Sequence, residues 1–402
     1  MNVRWRQLAW LSIAELLALS LWFSASAVLP ALVREWRLGE AGRAWLTNAV
    51  QLGFIVGTLG SALGNLPDVW PARRLMVVSA VAGAIANAAV ALWVDSLGGA
   101  LVLRFLTGVS LAGAYPPAMN IMATWFREGR GLAIGILIGA LTVGSATPHL
   151  IRGMTDLPWR HVLLAASVLA LAAAVIVARF VDEGPYRFPT ARFDVRMAAA
   201  IFRERGARLA CFGYFGHMWE LYAMWTWIGV FLAESLAARG GGAYAGLNAS
   251  AATFVVIATG ALGCWLGGLL ADRSGRTNET IAAMALSGLC ALGIGLTFGG
   301  APAVTLVIAI VWGITVIADS AQFSTAVTEL SPPAYVGTAL TTQTWVGFSI
   351  TIASIWLIPI VIQLIGWRWG FASLAPGPLL GIVAMARLRA LPESLKLAAG
   401  RR

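Results

Sequence analysis

Residues 302–327 read PAVTLVIAIVWGITVIADSAQFSTAV, and Asp319 carries the one formal charge in this stretch. A helix of about 20 mostly apolar residues is long enough to cross the hydrocarbon core of a bilayer. The stretch shows no strict two-residue alternation, which argues against a strand of a membrane barrel. It therefore predicts a transmembrane helix.

The rest of the chain has the same character. Of its 402 residues 59% are hydrophobic and 11% are charged, and the mean hydropathy is +0.79. A soluble domain carries roughly 25% charged residues, so the composition excludes a soluble enzyme, a disordered chain and a disulfide scaffold. The three cysteines lie in apolar runs without metal-ligand spacing, and we interpret them as small core residues.

Twelve apolar runs are long enough to cross a membrane, and a polar stretch at 183–207 separates the first six from the last six. We expect a six-helix bundle at 1–182, a cytoplasmic linker at 183–207 and a second six-helix bundle at 208–402. The predicted spans are 8–31, 44–65, 75–94, 98–124, 131–150, 161–181, 209–234, 248–270, 280–299, 302–327, 337–364 and 368–386. The first is too long and too aromatic for a cleaved signal peptide.

The charged loops predict the orientation. The chain carries 28 Arg and Lys residues and a formal charge of +10. With the N-terminus inside, most of them fall on the cytoplasmic side, where positive residues accumulate in membrane proteins. The opposite side holds only Arg34, Arg37, Arg43, Arg152, Arg160, Arg239 and Arg368. We therefore expect both termini in the cytoplasm, and this bias explains the basic charge without nucleic acid.

Paired motifs indicate that the two halves are repeats. Glu15-Leu-x-Ala-x-x-x-Trp in the first run matches Glu220-Leu-x-Ala-x-x-x-Trp in the seventh, and Trp-Arg at 159–160 matches Trp-Arg at 367–368. Gly-Leu-Ala at 131–133 likewise matches Gly-Thr-Ala at 337–339. Because six crossings return the chain to the same side, such repeats are parallel.

The sequence resembles the major facilitator superfamily. The most specific motif is GLLADRSGR at 268–276, which is complete, whereas its first-half copy at 64–74 departs from the pattern at Val69, Pro71 and Ala72. The resemblance implies an all-α membrane protein whose twelve transmembrane helices form two six-helix bundles around a central cavity. It also implies a secondary transporter that works by alternating access.

The resemblance implies a conformational latch in these motifs, in which Asp272 pairs across the boundary between the halves and stabilises the outward-facing state. The alternative is a solvated basic loop, whose ion pairs contribute little. The latch residues expected on this basis are Gly64, Asp68, Arg73, Gly268, Asp272, Arg273, Gly275 and Arg276.

Polar side chains inside the apolar runs predict the cavity. A charge at the bilayer centre costs at least ~2.5–3.5 kcal/mol, so it normally faces a cavity or a partner. The predicted substrate and proton cavity consists of Glu15, Arg104, His217, Glu220, Tyr222, Asp319, Gln322 and Gln343.

Glu15 and Glu220 occupy equivalent places in the two repeats. We expect them to face a common space and to carry protons; the alternative is that each only hydrogen-bonds a neighbouring helix. His217 lies one helical turn before Glu220, which favours a His–carboxylate relay over half of a metal site or a single structural His. Arg104 begins RFLTG at 104–108, where the resemblance implies proton coupling or anion contact. Since its guanidinium stays charged, a carboxylate partner is expected, with Glu15 or Glu220 as candidates.

No nucleotide-binding lysine motif, catalytic constellation or metal cluster is present in the sequence. We therefore expect no enzyme and no cofactor, but a monomeric, multi-pass transporter of a small organic solute in the inner membrane, driven by protons and in contact with lipid. The alternatives are an organic-anion/proton symporter that uses Arg104 and His217, a drug/proton antiporter, or a sensor that shares the fold.

Overall fold

The computed structural model describes residues 2–64, 66, 70–126, 130–154, 157–186, 201–239, 248–332 and 336–401. Within these ranges the protein is helical and contains no strand. Eleven helical segments are long and apolar enough to cross a membrane. They confirm the all-α membrane fold.

The segments follow the predicted runs in order. From the second to the twelfth, the spans are Glu40–Leu63, Ala72–Trp93, Leu97–Trp125, Gly131–Met154, Trp159–Phe180, Arg205–Ala238, Ala249–Ser274, Arg276–Thr297, Pro302–Leu330, Val336–Ile365 and Trp367–Ala390. A 3-10 segment, Pro392–Gly400, follows the last span.

The first predicted run, 8–31, is not one helix but three: Val3–Leu19, Ser24–Ala27 and Leu29–Trp36. Two serines help to interrupt it. Ser20 Oγ donates to the carbonyl of Leu17 at 2.6 Å and Ser24 Oγ to that of Leu21 at 2.9 Å, and such local bonds compete with the helical ladder.

The fourth and tenth spans are interrupted at corresponding places in the repeats. The fourth consists of Leu97–Ala112 and Tyr115–Trp125, and the tenth of Pro302–Ala318 and Ser320–Leu330. The seventh span, by contrast, is one helix of 34 residues, Arg205–Ala238.

The described residues form two compact units. One contains the chain up to residue 186 together with Ile228–Ala258, and the other contains 201–227 and 259–401. The three-part division expected from the sequence stays a prediction.

Glycines allow close backbone contact inside the first unit. A Cβ on Gly53 would lie 2.0 Å from the Phe105 carbonyl oxygen, and one on Gly108 would lie 2.1 Å from that of Val50. Only glycine fits both positions, which fixes the second span against the fourth and thereby the depth of Arg104.

Candidate functional site

A buried histidine–carboxylate pair lies inside the second unit, between the seventh and tenth spans. His217 Nδ1 is 2.8 Å from Asp319 Oδ1, and each side chain is 1% exposed. Asp319 stands at the interruption of the tenth span, between Ala318 and Ser320. The expected pairing of His217 with Glu220 is wrong: the imidazole turns to the neighbouring helix rather than along its own.

Glu220 is held by two neutral donors. Trp312 Nε1 donates to Oε1 at 2.7 Å, and Ser287 Oγ donates to Oε2 at 2.8 Å. The side chain is buried. These contacts are those of the structural alternative, in which the carboxyl group joins neighbouring helices.

Aromatic rings surround the His217–Asp319 pair. The ring centroids of Tyr214 and Phe323 lie 6.0 and 5.5 Å from that of His217. A Cβ on Gly347 would lie 2.3 Å from Tyr214 Cε1, so the eleventh span packs directly on this ring. The seventh, tenth and eleventh spans therefore meet at Tyr214, beside the His217–Asp319 pair.

Tyr222 lies further along the seventh span. Its ring centroid is 5.1 Å from that of Phe348, which follows Gly347 on the eleventh span. Aromatic contacts thus continue from Tyr214 to Tyr222 between the seventh and eleventh spans.

Several buried polar atoms near these rings have no hydrogen-bond partner among the described residues. They are His217 Nε2, both carboxyl oxygens of Asp319 and both amide atoms of Gln343. Gln343 lies one helical turn before Gly347, on the face that packs against Tyr214. Buried polar groups are normally paired, so these unpaired atoms mark the polar part of the candidate site.

Glu15 is fully buried in the first unit, and within the described part of the chain neither carboxyl oxygen has a hydrogen-bond partner. It therefore differs from Glu220, its counterpart in the repeat. Taking up a proton removes the charge that is costly to bury without a partner.

Arg104 does not have the expected carboxylate partner. Its Nη1 donates to the Leu21 carbonyl at 3.0 Å, to Ser24 Oγ at 3.0 Å and to Asn87 Oδ1 at 3.1 Å, and its Nη2 donates to the Trp22 carbonyl. The guanidinium is fully buried. Neutral acceptors from the interrupted first span take the place of a counter-ion.

The basic motif of the second unit forms its own ion pair. Arg276 binds both carboxyl oxygens of Glu329, at 2.9 and 2.7 Å, and its Nη1 donates to Gln322 Oε1 at 2.8 Å. Glu329 also accepts from the backbone N–H of Ala398 at 3.1 Å. Gln322, expected in the cavity, therefore has its side-chain oxygen committed to this motif.

The other latch residues are spread over both units. Asp272 and Arg273 are exposed, and the Asp272 carbonyl accepts from Arg401. Arg73 pairs with Asp182 at 3.2 Å. Gly64, Gly268 and Gly275 end or lie in helices, and Asp68 lies outside the described residues. The latch itself stays a prediction.

Sequence reasoning missed the partners of the buried charges. Asn87, Ser287 and Trp312 look like ordinary members of apolar runs, and Glu329 sits just beyond a predicted span. A single amide in a membrane helix, such as Asn87, was the one available signal, since polar side chains there usually bond across helices.

Residues 11–354 match the family described as the Major Facilitator Superfamily. The chain belongs to this superfamily. Solved structures agree on the fold: the human organic anion transporter MFSD10 has a TM-score of 0.70 at 16% identity, covering 96% of this chain and 100% of that one. The proton:xylose symporter XylE has a TM-score of 0.71 at 15% identity and covers 96% of each chain.

Curated relatives of this Major Facilitator Superfamily chain include the 4-hydroxybenzoate transporter PcaK of Pseudomonas putida, 29% identical over 39% of this chain and 35% of its own length. The gallate transporter of Pseudomonas putida is 23% identical over 67% of this chain and 66% of its own length. The puromycin resistance protein pur8 of Streptomyces alboniger is 30% identical over 42% of this chain and 34% of its own length. The first relatives are thus matched over about a third of their length.

Proposed function

We propose that this protein is a secondary active transporter that moves a small organic solute across the inner membrane by alternating access, coupled to protons. The superfamily and the transporters among its relatives support the general activity. The buried His217–Asp319 pair carries the proposal of proton coupling.

The pair gives the proton a defined place. With Nδ1 directed at Asp319, the partnerless Nε2 of His217 is the atom that accepts or releases a proton. Uptake of one proton converts an aspartate beside a neutral imidazole into an aspartate–imidazolium pair. The pair is then neutral overall, instead of carrying a net negative charge. Because burying unbalanced charge is costly, the two protonation states favour different conformations, which is what coupling requires.

We further propose that the solute is a small organic anion. Relatives are named as transporters of 4-hydroxybenzoate, gallate and sulfoacetate. A protonated His217 among Tyr214 and Phe323 offers a cation beside aromatic faces, with the amide of Gln343 as a further polar group. We do not place the anion at Arg104, because it is fully buried and neutral acceptors already contact both of its terminal nitrogens, which leaves only Nε without a hydrogen-bond partner among the described residues.

Drug export coupled to protons is a second candidate, since pur8 is named for puromycin resistance. The direction of solute flux relative to proton flow distinguishes the two candidate functions. A symporter accumulates solute on the side toward which protons flow, whereas an antiporter moves solute against the proton flow.

The test uses purified protein in liposomes with an imposed pH gradient, and labelled 4-hydroxybenzoate, gallate and puromycin as probes. We expect the gradient to drive accumulation of one of the acids and an ionophore to abolish it. Asp319→Asn should retain solute counterflow without a gradient but lose at least about tenfold in gradient-driven accumulation. His217→Gln should lose gradient-driven accumulation and also weaken counterflow, because it removes the proposed cation beside the solute.

His161→Gln is the matched control, since His161 is exposed at the start of the sixth span and should behave as wild type. Accumulation that survives the ionophore would contradict proton coupling. Retained coupling in Asp319→Asn and His217→Gln would contradict the role of the pair.

A further inference from the structure

The first and seventh spans hold equivalent places in the two repeats, yet their helices differ. The first is interrupted after Leu19 and resumes at Ser24, whereas the seventh runs unbroken over Arg205–Ala238. In lipid, every backbone polar group needs a partner within the protein. An interruption at membrane depth therefore requires donors from elsewhere in the unit.

Arg104 supplies these donors. Its guanidinium binds the carbonyls of Leu21 and Trp22, which lie in the turn between the two helices. A positive charge is also favourable at the C-terminal end of the preceding helix. The interruption thus depends on where the guanidinium is held.

Asn87 holds it. Its Oδ1 accepts from Arg104 at 3.1 Å and from Ser24 Oγ at 2.7 Å. Its Nδ2 donates to the Leu163 carbonyl at 2.8 Å and to Ser167 Oγ at 3.0 Å. Turning the amide over would place its N–H group against the N–H donor of Arg104 and its oxygen against the Leu163 carbonyl, so a single orientation fits this site.

The second repeat serves as an internal comparison. The paired motifs place Ala291, Leu292 or Gly293 at the position of Asn87, and Ile308, Ala309 or Ile310 at that of Arg104. None of these side chains can donate to a freed carbonyl. The repeat that lacks both polar residues is the one whose first helix is continuous.

We infer that Asn87 is a positioning residue that fixes Arg104 and Ser24 and thereby keeps the first span interrupted at residues 20–23. The interruption separates the inner helix, which carries Glu15, from the outer part of the span. Its importance for transport rests on the proposed function, whereas its effect on the first span does not.

Hydrogen exchange of the purified full chain in detergent tests the inference. In Asn87→Leu, which keeps the branched shape of the side chain but removes the amide, we expect the exchange rate at residues 20–24 to change by at least about tenfold. The change has either sign, because freed carbonyls either fray the turn or close it into a helix. Exchange within Val336–Ile365, in the second unit, should stay as in wild type.

Two matched variants test whether Asn87 acts through its Oδ1 as a hydrogen-bond acceptor. Asn87→Asp keeps the oxygen that faces Arg104, and Ser167→Ala removes one of the two contacts of Asn87 to the sixth span, so both should exchange like wild type at residues 20–24. Unchanged exchange in Asn87→Leu, or an equal change in Asn87→Asp, would show that the side chain only fills space and would overturn the inference.

If Asn87→Leu does not fold, Ser24→Ala replaces it as the test. This variant removes one contact between Asn87 and the first span, and we expect it to change exchange at the same amides. Wild-type exchange at these amides would overturn the inference. Solute uptake is the second readout. Asn87→Leu should slow turnover while leaving the apparent affinity unchanged. If wild type transports none of the probes, the proposed function fails, while the exchange result still decides the role of Asn87.

Discussion

Glu220 and Asp319 are both fully buried, yet their partners differ in kind. Glu220 accepts hydrogen bonds from an indole and a hydroxyl group, neither of which titrates near neutral pH. Asp319 faces the imidazole of His217. Glu220 therefore has the contacts of a fixed acceptor, and our proposal places the proton at the His217–Asp319 pair instead.

We expect Glu220→Gln to keep both stability and proton-driven accumulation. The new amide oxygen accepts from Trp312, and its N–H group donates to Ser287, whose hydroxyl can accept as well as donate. Glu220→Ala, by contrast, leaves the Trp312 N–H buried without a partner and should destabilise the fold by ~1–3 kcal/mol.

Thermal unfolding in detergent and the liposome assay measure the two effects. Loss of accumulation in a well-folded Glu220→Gln would favour the idea that the two symmetric carboxyl groups carry the proton, as the sequence predicts.

The sequence is sufficient to find the buried polar residues but not to pair them. Glu15, Arg104, His217 and Asp319 stand out because charged groups are rare in apolar runs. Which of them meet depends on which helices face each other and how each is rotated. Arg104 illustrates the limit, since backbone carbonyls released by an interrupted helix leave no mark in the sequence.

The length of each apolar run predicts where a transmembrane helix lies, but it does not predict whether that helix is continuous. All twelve runs reappear as helical segments in order, but the first is divided into three helices and the fourth, eighth and tenth into two each. Hydropathy averages over about 19 residues, whereas an interruption is decided by one or two hydrogen bonds.

The two glycines of the 268–276 motif should respond oppositely to alanine. Gly275 joins the eighth and ninth spans with φ 92° and ψ 152°, a conformation that is accessible almost only to glycine, so Gly275→Ala should lower the free energy of unfolding by ~1–3 kcal/mol. Gly268 lies inside a helix, and a Cβ on this residue would meet no neighbouring atom within 4 Å. Gly268→Ala should therefore be neutral or stabilising by up to ~1 kcal/mol.

Denaturation midpoints of the purified variants, compared with wild type, check this pair. Equal destabilisation by both substitutions would contradict the assignment of backbone strain to Gly275 alone.

For the whole molecule, the positive charges predict a definite orientation. Cys211, Cys264 and Cys290 are buried, so new surface cysteines can be labelled selectively. A membrane-impermeant maleimide should label Ser96→Cys on intact cells, and should label Ser274→Cys only after the membrane is opened. Both serines are exposed, and wild type is the control for background labelling. The reverse pattern would place both termini outside.

The unbroken seventh span has a mechanical consequence. At 1.5 Å per residue, its 34 residues form a rod of roughly 51 Å, well beyond the ~30 Å hydrocarbon core. His217 stands about 18 Å from the Arg205 end of this helix. A tilt of about 10° around the middle of an unbroken helix of this length would sweep each end through roughly 4 Å. The first span, divided into three helices, has no such continuous length.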